Sequence, residues 1–148
     1  MIDSVCPPHL QLYGDEYPGQ QSIVTCPRRK ILVAGGERAG KSFVAGTFLT
    51  TRVPYGKLFW ILGPDYELAR PEFEYVVEQL SRLGAINKTR DVSMPKVGKC
   101  VAVTKTGQTI ETKTADELAK IAAKAPDGIV MAEAAQQRYL AYLRAVGR

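Results

Sequence analysis

The residues best suited to chemistry lie in one glycine-rich stretch, GGERAGKS, which ends in a lysine and a serine. It fits the pattern G-x-x-x-x-G-K-[ST], whose glycines permit backbone angles that other residues resist. The N–H groups of such a loop point at phosphate oxygens, helped by the positive end of the following helix. Lys41 would reach the β- and γ-phosphates, and the Ser42 hydroxyl would ligate Mg²⁺. The predicted nucleotide-binding residues are Gly35, Gly36, Glu37, Arg38, Ala39, Gly40, Lys41 and Ser42.

A second acidic site is expected where a neighbouring strand ends, because nucleotide hydrolysis needs one there. The segment GIVMAEAAQ is the best candidate, and four apolar residues of this kind are usually followed by Asp and then Glu. Here Ala132 takes the place of the aspartate, so the usual carboxylate partner of Mg²⁺ is absent. Glu133 would polarise the attacking water or act in the outer shell of the metal. The alternative interpretation is a solvated glutamate at a helix start. Asp127, before the strand, is not expected to replace the missing carboxylate.

Arg38 lies inside the glycine-rich stretch and has two interpretations. It could contact the γ-phosphate and stabilise charge in the transition state. It could also point outward and pair with Glu37 or with a neighbouring protein. The sequence leaves both possibilities open.

The elements around these residues predict an α/β fold. Residues 29–34, RKILVA, are a candidate buried strand, followed by a helix over residues 41–52 and a second strand over 57–63. Strand, helix and strand at this spacing form a βαβ unit with a parallel pair and a right-handed crossover. A short helix is expected near QQSIVT, before the first strand.

The rest of the chain predicts three further helices, one further strand and a hairpin. An apolar face predicts a helix with Pro71 in its first turn and Gly84 at its end, carried by Phe73, Val76, Val77, Leu80 and Leu83. CVAVTKTGQTIETKT alternates on both sides of a turn and predicts a hairpin. A helix over residues 115–125 and a third strand over 129–132 that continues into a helix are expected next.

The positive charge of the chain is unevenly placed. The net charge is +5, and the excess of Lys and Arg lies within residues 81–124. Phosphate backbones attract such a surface, although a solvated basic face would look the same. We take residues 88–105, with Lys96, Lys99 and Lys105, as the candidate DNA contact. No apolar run approaches the roughly 20 residues of a membrane span, so no membrane partner is expected.

Several segments, in this order and spacing, resemble the ATPase part of the large terminase subunit, the DNA-packaging motor of tailed bacteriophages. They are PGQQSIV…RRKILVAGGERAGKS, FWILGPDYELARPEFEYV, GQTIETKTA and DGIVMAEAAQ, and the resemblance runs from about Pro18 to the end of the chain. It implies a P-loop NTPase three-layer sandwich with a mainly parallel central sheet. The sheet is expected to be incomplete, because only three core strands and a hairpin are visible. An exposed sheet edge would favour self-association.

The resemblance also implies roles for individual residues. ATP and Mg²⁺ are the expected ligands, and Glu133 matches the catalytic glutamate of the family. A glutamine before the first strand reads the adenine base in the family, and Gln20 is the best match, with Gln21 as the alternative. Either could instead be a polar turn residue. The family arginine often stands one position earlier than Arg38, and Tyr66 matches a polar or aromatic position near the nucleotide.

The expected organisation is a lead-in segment with the adenine-side motif over residues 1–28 and a partial P-loop ATPase core over 29–148. Large terminases continue with a coupling motif and a nuclease domain. Neither is recognised in this sequence, so we expect no nuclease activity from it. The chain is either a fragment or a shortened relative. The resemblance implies double-stranded DNA, a ring of copies, the portal and the small terminase subunit as partners, and a place in the host cytoplasm at the procapsid portal.

The leading functional hypothesis is an ATPase that couples hydrolysis to movement of double-stranded DNA. Lys41 and Ser42 would bind phosphate and Mg²⁺, with Glu133 activating water. The alternative is a nucleotide-binding or assembly module without turnover, suggested by Ala132 and the missing coupling motif. A small-metabolite P-loop kinase is a third hypothesis, but no arginine-rich lid is evident.

Overall fold

A five-stranded sheet forms the centre of the chain in the computed structural model, which describes residues 18–28, 30–35, 39–117, 124–137 and 143. The strands, in chain order, are β1 Leu58–Gly63, β2 Val92–Ser93, β3 Val101–Val103, β4 Thr109–Thr114 and β5 Gly128–Met131. Their order in the sheet is β2-β3-β4-β1-β5. β1 pairs in parallel with β4 and β5, while the short β2 and β3 are antiparallel. The predicted α/β fold with a mainly parallel sheet is therefore confirmed.

Both faces of β1, which lies between β4 and β5, are buried. Side chains alternate along a strand, so Phe59 and Ile61 point to one face, and Trp60 and Leu62 to the other. The first face packs against two helices, α2 over Lys41–Arg52 and α3 over Tyr66–Arg82. The core on this side includes Leu49, Phe73, Val76, Leu80, Ile110 and Val130.

Most locally signalled elements lie where they were predicted. A short helix, α1, spans Pro18–Val24, and α2 has the predicted bounds. β1 covers six of the seven residues of the predicted second strand. The hairpin is formed by β3 and β4, and Gly107 takes the positive φ of 92° that its turn requires.

The predicted strand over residues 29–34 is wrong for the part that the structure describes. Residues 30–35 have no regular secondary structure, and Leu32 is 86% exposed. The run has strand propensity, but a strand also needs a neighbour for its N–H and C=O groups and a surface to pack on. The parallel pairs are formed by β1 with β4 and β5 instead, and β5 ends the sheet among the described strands.

Helix α3 begins earlier than predicted, at Tyr66 rather than near Pro71. The Asp65 side chain accepts a hydrogen bond from the Leu68 backbone N–H at 2.7 Å and caps the helix. Pro71 lies inside the helix, and Gly84, with a φ of 69°, follows its end. A capping signal therefore outweighs proline as the helix start.

The two last predicted helices are seen only in part. Ala115–Glu117 is a 3₁₀ turn, residues 124–126 are not helical, and residues 118–123 lie outside the described part. β5 does not run directly into an α-helix, because a turn at 132–133 is followed by a 3₁₀ turn at Ala134–Gln136. The reason is the left-handed backbone of Glu133, with a φ of 47°, which an α-helix cannot accommodate.

Candidate functional site

The ends of the glycine-rich stretch lie close together over the start of α2. Lys41 Nζ donates a hydrogen bond to the Gly35 carbonyl at 3.0 Å. A Cβ added at Gly35 would lie 3.3 Å from the Ala39 Cβ, so a larger residue at position 35 would crowd Ala39. Gly35 therefore lies close to both Ala39 and Lys41. Residues 36–38 lie outside the described part, so the predicted roles of Gly36, Glu37 and Arg38 stay predictions.

Gly40 is the residue at which the loop becomes a helix. Its φ of 75° is left-handed, and it accepts the first helical hydrogen bond of α2 from the Val44 N–H at 3.0 Å. A Cβ here would lie 2.7 Å from Gln20 Nε2, so the Gln20 side chain contacts the end of the loop. The structure thus brings Gln20 to the loop, while its assignment to adenine stays a prediction. Gln21, the alternative, is half-buried on α1, the helix that also carries Gln20.

A close crossing of α2 and α3 positions the residues below the loop. A Cβ at Gly46 would lie 2.7 Å from the Tyr75 Cβ and 3.2 Å from the Glu72 carbonyl oxygen, so the helices nearly touch there. Below this point, Gln79 Nε2 donates to Thr47 Oγ1 at 2.7 Å, and both side chains are buried. The crossing sets which residues of α3 face the start of α2.

At the upper end of this crossing, Glu72 lies against Ser42. The Ser42 side chain lies within hydrogen-bonding reach of the Glu72 carboxylate, and Glu72 is 6% exposed. Its Oε2 is buried and has no hydrogen-bond partner among the described residues. Burial raises the pKa of Glu72, the Ser42 hydrogen bond opposes this in part, and the charge of Glu133 adds to it. Ser42, Glu72 and Glu133 therefore share one electrostatic environment.

Sequence reasoning missed Glu72, although a weak signal existed. Glu72 precedes Val76 by four residues and Gln79 by seven, so it lies on the buried face of α3. An acidic residue on an apolar helix face needs a partner, which is a reason to ask what it faces.

The turn after β5 holds Glu133 in a strained backbone. Glu133 is the one non-glycine residue with a positive φ in the described part of the chain, and its side chain is exposed. Such a conformation costs about 1 kcal/mol and recurs at functional sites. Gln137 Nε2 donates to the carbonyls of Leu62 at 3.0 Å and Ala132 at 2.6 Å, which joins the ends of β1 and β5 below this turn.

Three further candidates lie near the ends of the strands: Ala132, Asp127 and Tyr66. Ala132 is buried and carries only a methyl group, so it offers no ligand. Asp127 lies at the opposite end of β5, where its Oδ2 accepts hydrogen bonds from the N–H groups of Lys57 and Leu58. It therefore does not join the site. Tyr66 is the first residue of α3 and is half-buried.

The donor set fits a small divalent cation that is shared with phosphates. Mg²⁺ is usually held by oxygen atoms from one or two carboxylates together with substrate phosphates and water. The Ser42 hydroxyl and the unpartnered Glu72 Oε2 are oxygen donors of this kind. The described residues contain no group of three or more His, Cys, Asp or Glu that could hold a metal by themselves.

Comparison with known proteins supports the fold. No protein-family model and no curated protein matches the sequence. Among solved structures, a point mutant of the large terminase ATPase domain of Thermus phage P74-26 matches with a TM-score of 0.54 and 24% identity. The chain has the fold of a phage large-terminase ATPase domain.

The match covers 76% of this chain and 51% of the terminase domain, so the chain spans about half the length of that domain. The resemblance stated from sequence is thereby confirmed at the level of the terminase ATPase fold. No helix among the described residues is long and apolar enough to cross a membrane.

Proposed function

We propose that this chain is the ATP-binding and ATP-hydrolysing part of a terminase-like motor that drives packaging of double-stranded DNA. The observation that carries the proposal is the hydrogen bond from Lys41 Nζ to the Gly35 carbonyl. It brings Gly35, near the beginning of the glycine-rich stretch, close to the start of α2. Its occurrence in a fold shared with a terminase ATPase domain supports the same conclusion.

Binding of ATP would use the geometry of the loop and of α2. The N–H groups between Gly35 and Ser42, together with the positive end of the helix, would hold the phosphates. Lys41 would leave the Gly35 carbonyl for the β- and γ-phosphates. Gln20, which already contacts Gly40, would read the adenine, with Gln21 as the alternative.

Hydrolysis would be assisted by groups on both sides of the phosphates. Glu133 would orient and polarise the attacking water, and Arg38 would stabilise charge at the γ-phosphate. Mg²⁺, when bound near Ser42 and Glu133, supplies neutralisation of phosphate charge. The strained backbone of Glu133, with its positive φ, would set the direction in which the exposed side chain leaves the turn.

The experiment measures ATP binding and phosphate release with and without Mg²⁺ on the parent chain and on Lys41→Ala. We expect the parent to bind and hydrolyse ATP and Lys41→Ala to lose at least about 100-fold in turnover, because a preorganised positive charge at the phosphates is removed. Lys57→Ala, an exposed lysine beyond α2, is the matched control and should behave like the parent. Retained turnover in Lys41→Ala would overturn the proposal.

A second candidate function is nucleotide binding without turnover, as an assembly module. The buried methyl group of Ala132, where an aspartate is expected, favours it. Tight ATP binding by the parent with no phosphate release would support this candidate. Robust hydrolysis by the parent would exclude it.

The partners beyond ATP rest on the terminase resemblance alone. Of the three lysines named as the candidate DNA contact, two have internal partners: Lys99 pairs with Glu111, and Lys105 Nζ donates to the Gly84 carbonyl at 2.6 Å. Their substitution would disturb the fold as well as any DNA contact, which leaves Lys96 as the clearer candidate. Ring assembly, portal binding and small-subunit binding are proposed on the same basis.

A further inference from the structure

One buried acidic side chain next to the loop has no part in the function proposed above. Glu72 comes from α3, not from a strand end, and its buried carboxylate lies within hydrogen-bonding reach of the Ser42 side chain. Ser42 is the residue whose hydroxyl the loop pattern assigns to Mg²⁺. Glu72 therefore contacts the predicted metal ligand directly.

We propose that Glu72 supplies the protein carboxylate for the Mg²⁺ of the bound nucleotide, in place of the aspartate that is missing at Ala132. This inference rests on the proposed nucleotide binding. The carboxylate oxygen that we assign to the cation is Oε2, which is buried and has no hydrogen-bond partner among the described residues.

A comparison with a second buried glutamate supports this assignment. Glu111 on β4 is also buried, but it pairs with Lys99 and Lys113 and accepts a hydrogen bond from Trp60 Nε1 at 3.0 Å. Among the described residues no lysine or arginine forms an ion pair with Glu72. A buried carboxylate without a cation is costly, so glutamate at this position needs a reason other than packing.

The chemistry of the surroundings indicates what the missing partner is. Ser42 offers a hydroxyl oxygen, Glu72 offers a carboxylate, and the charge of Glu133 is close enough to act on Glu72. Oxygen ligands and an excess of negative charge suit a hard cation such as Mg²⁺. Ser42 lies in the first turn of α2, where the phosphates would be held.

The test compares Glu72→Gln with Glu74→Gln, a matched control from the exposed side of the same helix. Glutamine keeps one oxygen that can accept a hydrogen bond from Ser42, removes the negative charge and replaces the second oxygen, the proposed metal ligand, with an NH2 group. Affinity for a fluorescent ATP analogue is measured with and without Mg²⁺, and thermal unfolding is followed without ligand and with Mg²⁺ and the analogue. We expect Glu72→Gln to bind the analogue like the parent without Mg²⁺. The gain in affinity on adding Mg²⁺ should fall by at least about tenfold.

Stability without ligand provides the second readout. Because Glu72→Gln removes a buried unpaired charge, the unliganded variant should melt at the same temperature as the parent or higher, while its stabilisation by Mg²⁺ and the analogue shrinks. A full parental gain from Mg²⁺ would overturn the proposal. So would an equal loss of affinity with and without Mg²⁺, or an unliganded variant that melts well below the parent, since either indicates a structural role. If the parent itself bound no nucleotide, the proposed function would fail instead, which keeps the two failures distinct.

Discussion

The two sides of the candidate site differ in how firmly the rest of the chain holds them. Residues 30–35, which lead into the glycine-rich stretch, have no regular structure, and Leu32 is 86% exposed. On the other side, α3 packs against β1 and β4 through Phe73, which is fully buried. The loop side would supply the phosphate contacts, and the helix side supplies Glu72 and, through α2, Ser42. Irregular backbone therefore leads into the loop side, while two helices packed on the sheet hold the carboxylate.

The largest effect should come from a matched pair of truncations, one on each side. Phe73→Ala should reduce the free energy of unfolding by about 3–5 kcal/mol, because it removes a fully buried ring and leaves a cavity. Leu32→Ala should change it by less than about 0.5 kcal/mol, because the side chain is already in water. Urea unfolding followed by the fluorescence of Trp60 would measure both.

This pair of variants also tests the finding that residues 30–34 do not form a buried strand. A loss of more than about 2 kcal/mol on Leu32→Ala would mean that the segment is packed as a buried strand after all. A cost below about 1 kcal/mol for Phe73→Ala would contradict the packing of α3 on the sheet.

A smaller effect is expected from replacing glycine with alanine, with opposite signs at Gly46 in α2 and at Gly19 in α1. Gly46→Ala should destabilise the chain by about 1–3 kcal/mol, because the new Cβ overlaps the Tyr75 Cβ and crowds the Glu72 carbonyl oxygen. Gly19→Ala in α1 should be neutral or stabilising by up to about 1 kcal/mol, since nothing lies within 4 Å of its added Cβ and alanine favours a helix. Thermal unfolding of both variants provides the measurement.

The sign of the difference is the informative result. If Gly46→Ala stabilised the chain as much as Gly19→Ala, helix propensity would outweigh packing, and the helices would not approach closely at Gly46. The position of Glu72 against Ser42 would then lose its structural basis.

Local signals predicted those parts of the fold and site that depend on neighbouring residues in sequence. The loop pattern from Gly35 to Ser42 predicted the start of α2 at Lys41, and the alternation around Gly107 predicted the hairpin. Errors arose where partners are distant in sequence. The run at 29–34 has the composition of a strand, but pairing is decided by the rest of the sheet.

Glu72 shows the same limit in the site itself. The absence of an aspartate at Ala132 is visible in the sequence, whereas a replacement from α3 is not. The contact of Glu72 with Ser42 depends on the crossing at Gly46, which joins residues that lie 30 positions apart. A single sequence shows only that a glutamate lies on an apolar face.

The smallest expected effect concerns Asp127, at the end of β5 away from the loop. Its Oδ2 accepts hydrogen bonds from the Lys57 N–H at 2.6 Å and the Leu58 N–H at 3.0 Å, and these hold the pKa of Asp127 below its ordinary value of 3.8. Because the folded pKa is lowered, the stabilisation is present above the ordinary value and is lost as the pH falls through the folded pKa. The carboxylate is exposed, so the effect at neutral pH should be about 1 kcal/mol or less.

Asp127→Asn should therefore be slightly less stable than the parent at pH 7, and the difference should vanish as the pH falls below about 4. Urea unfolding of both proteins at several pH values between about 2 and 7 would show this convergence. A difference that stays constant over that range would mean that the charge of Asp127 does not strengthen these two hydrogen bonds. Binding of the ATP analogue should be the same in both proteins, because Asp127 and the loop lie at opposite ends of β5, and a loss of binding would contradict that separation.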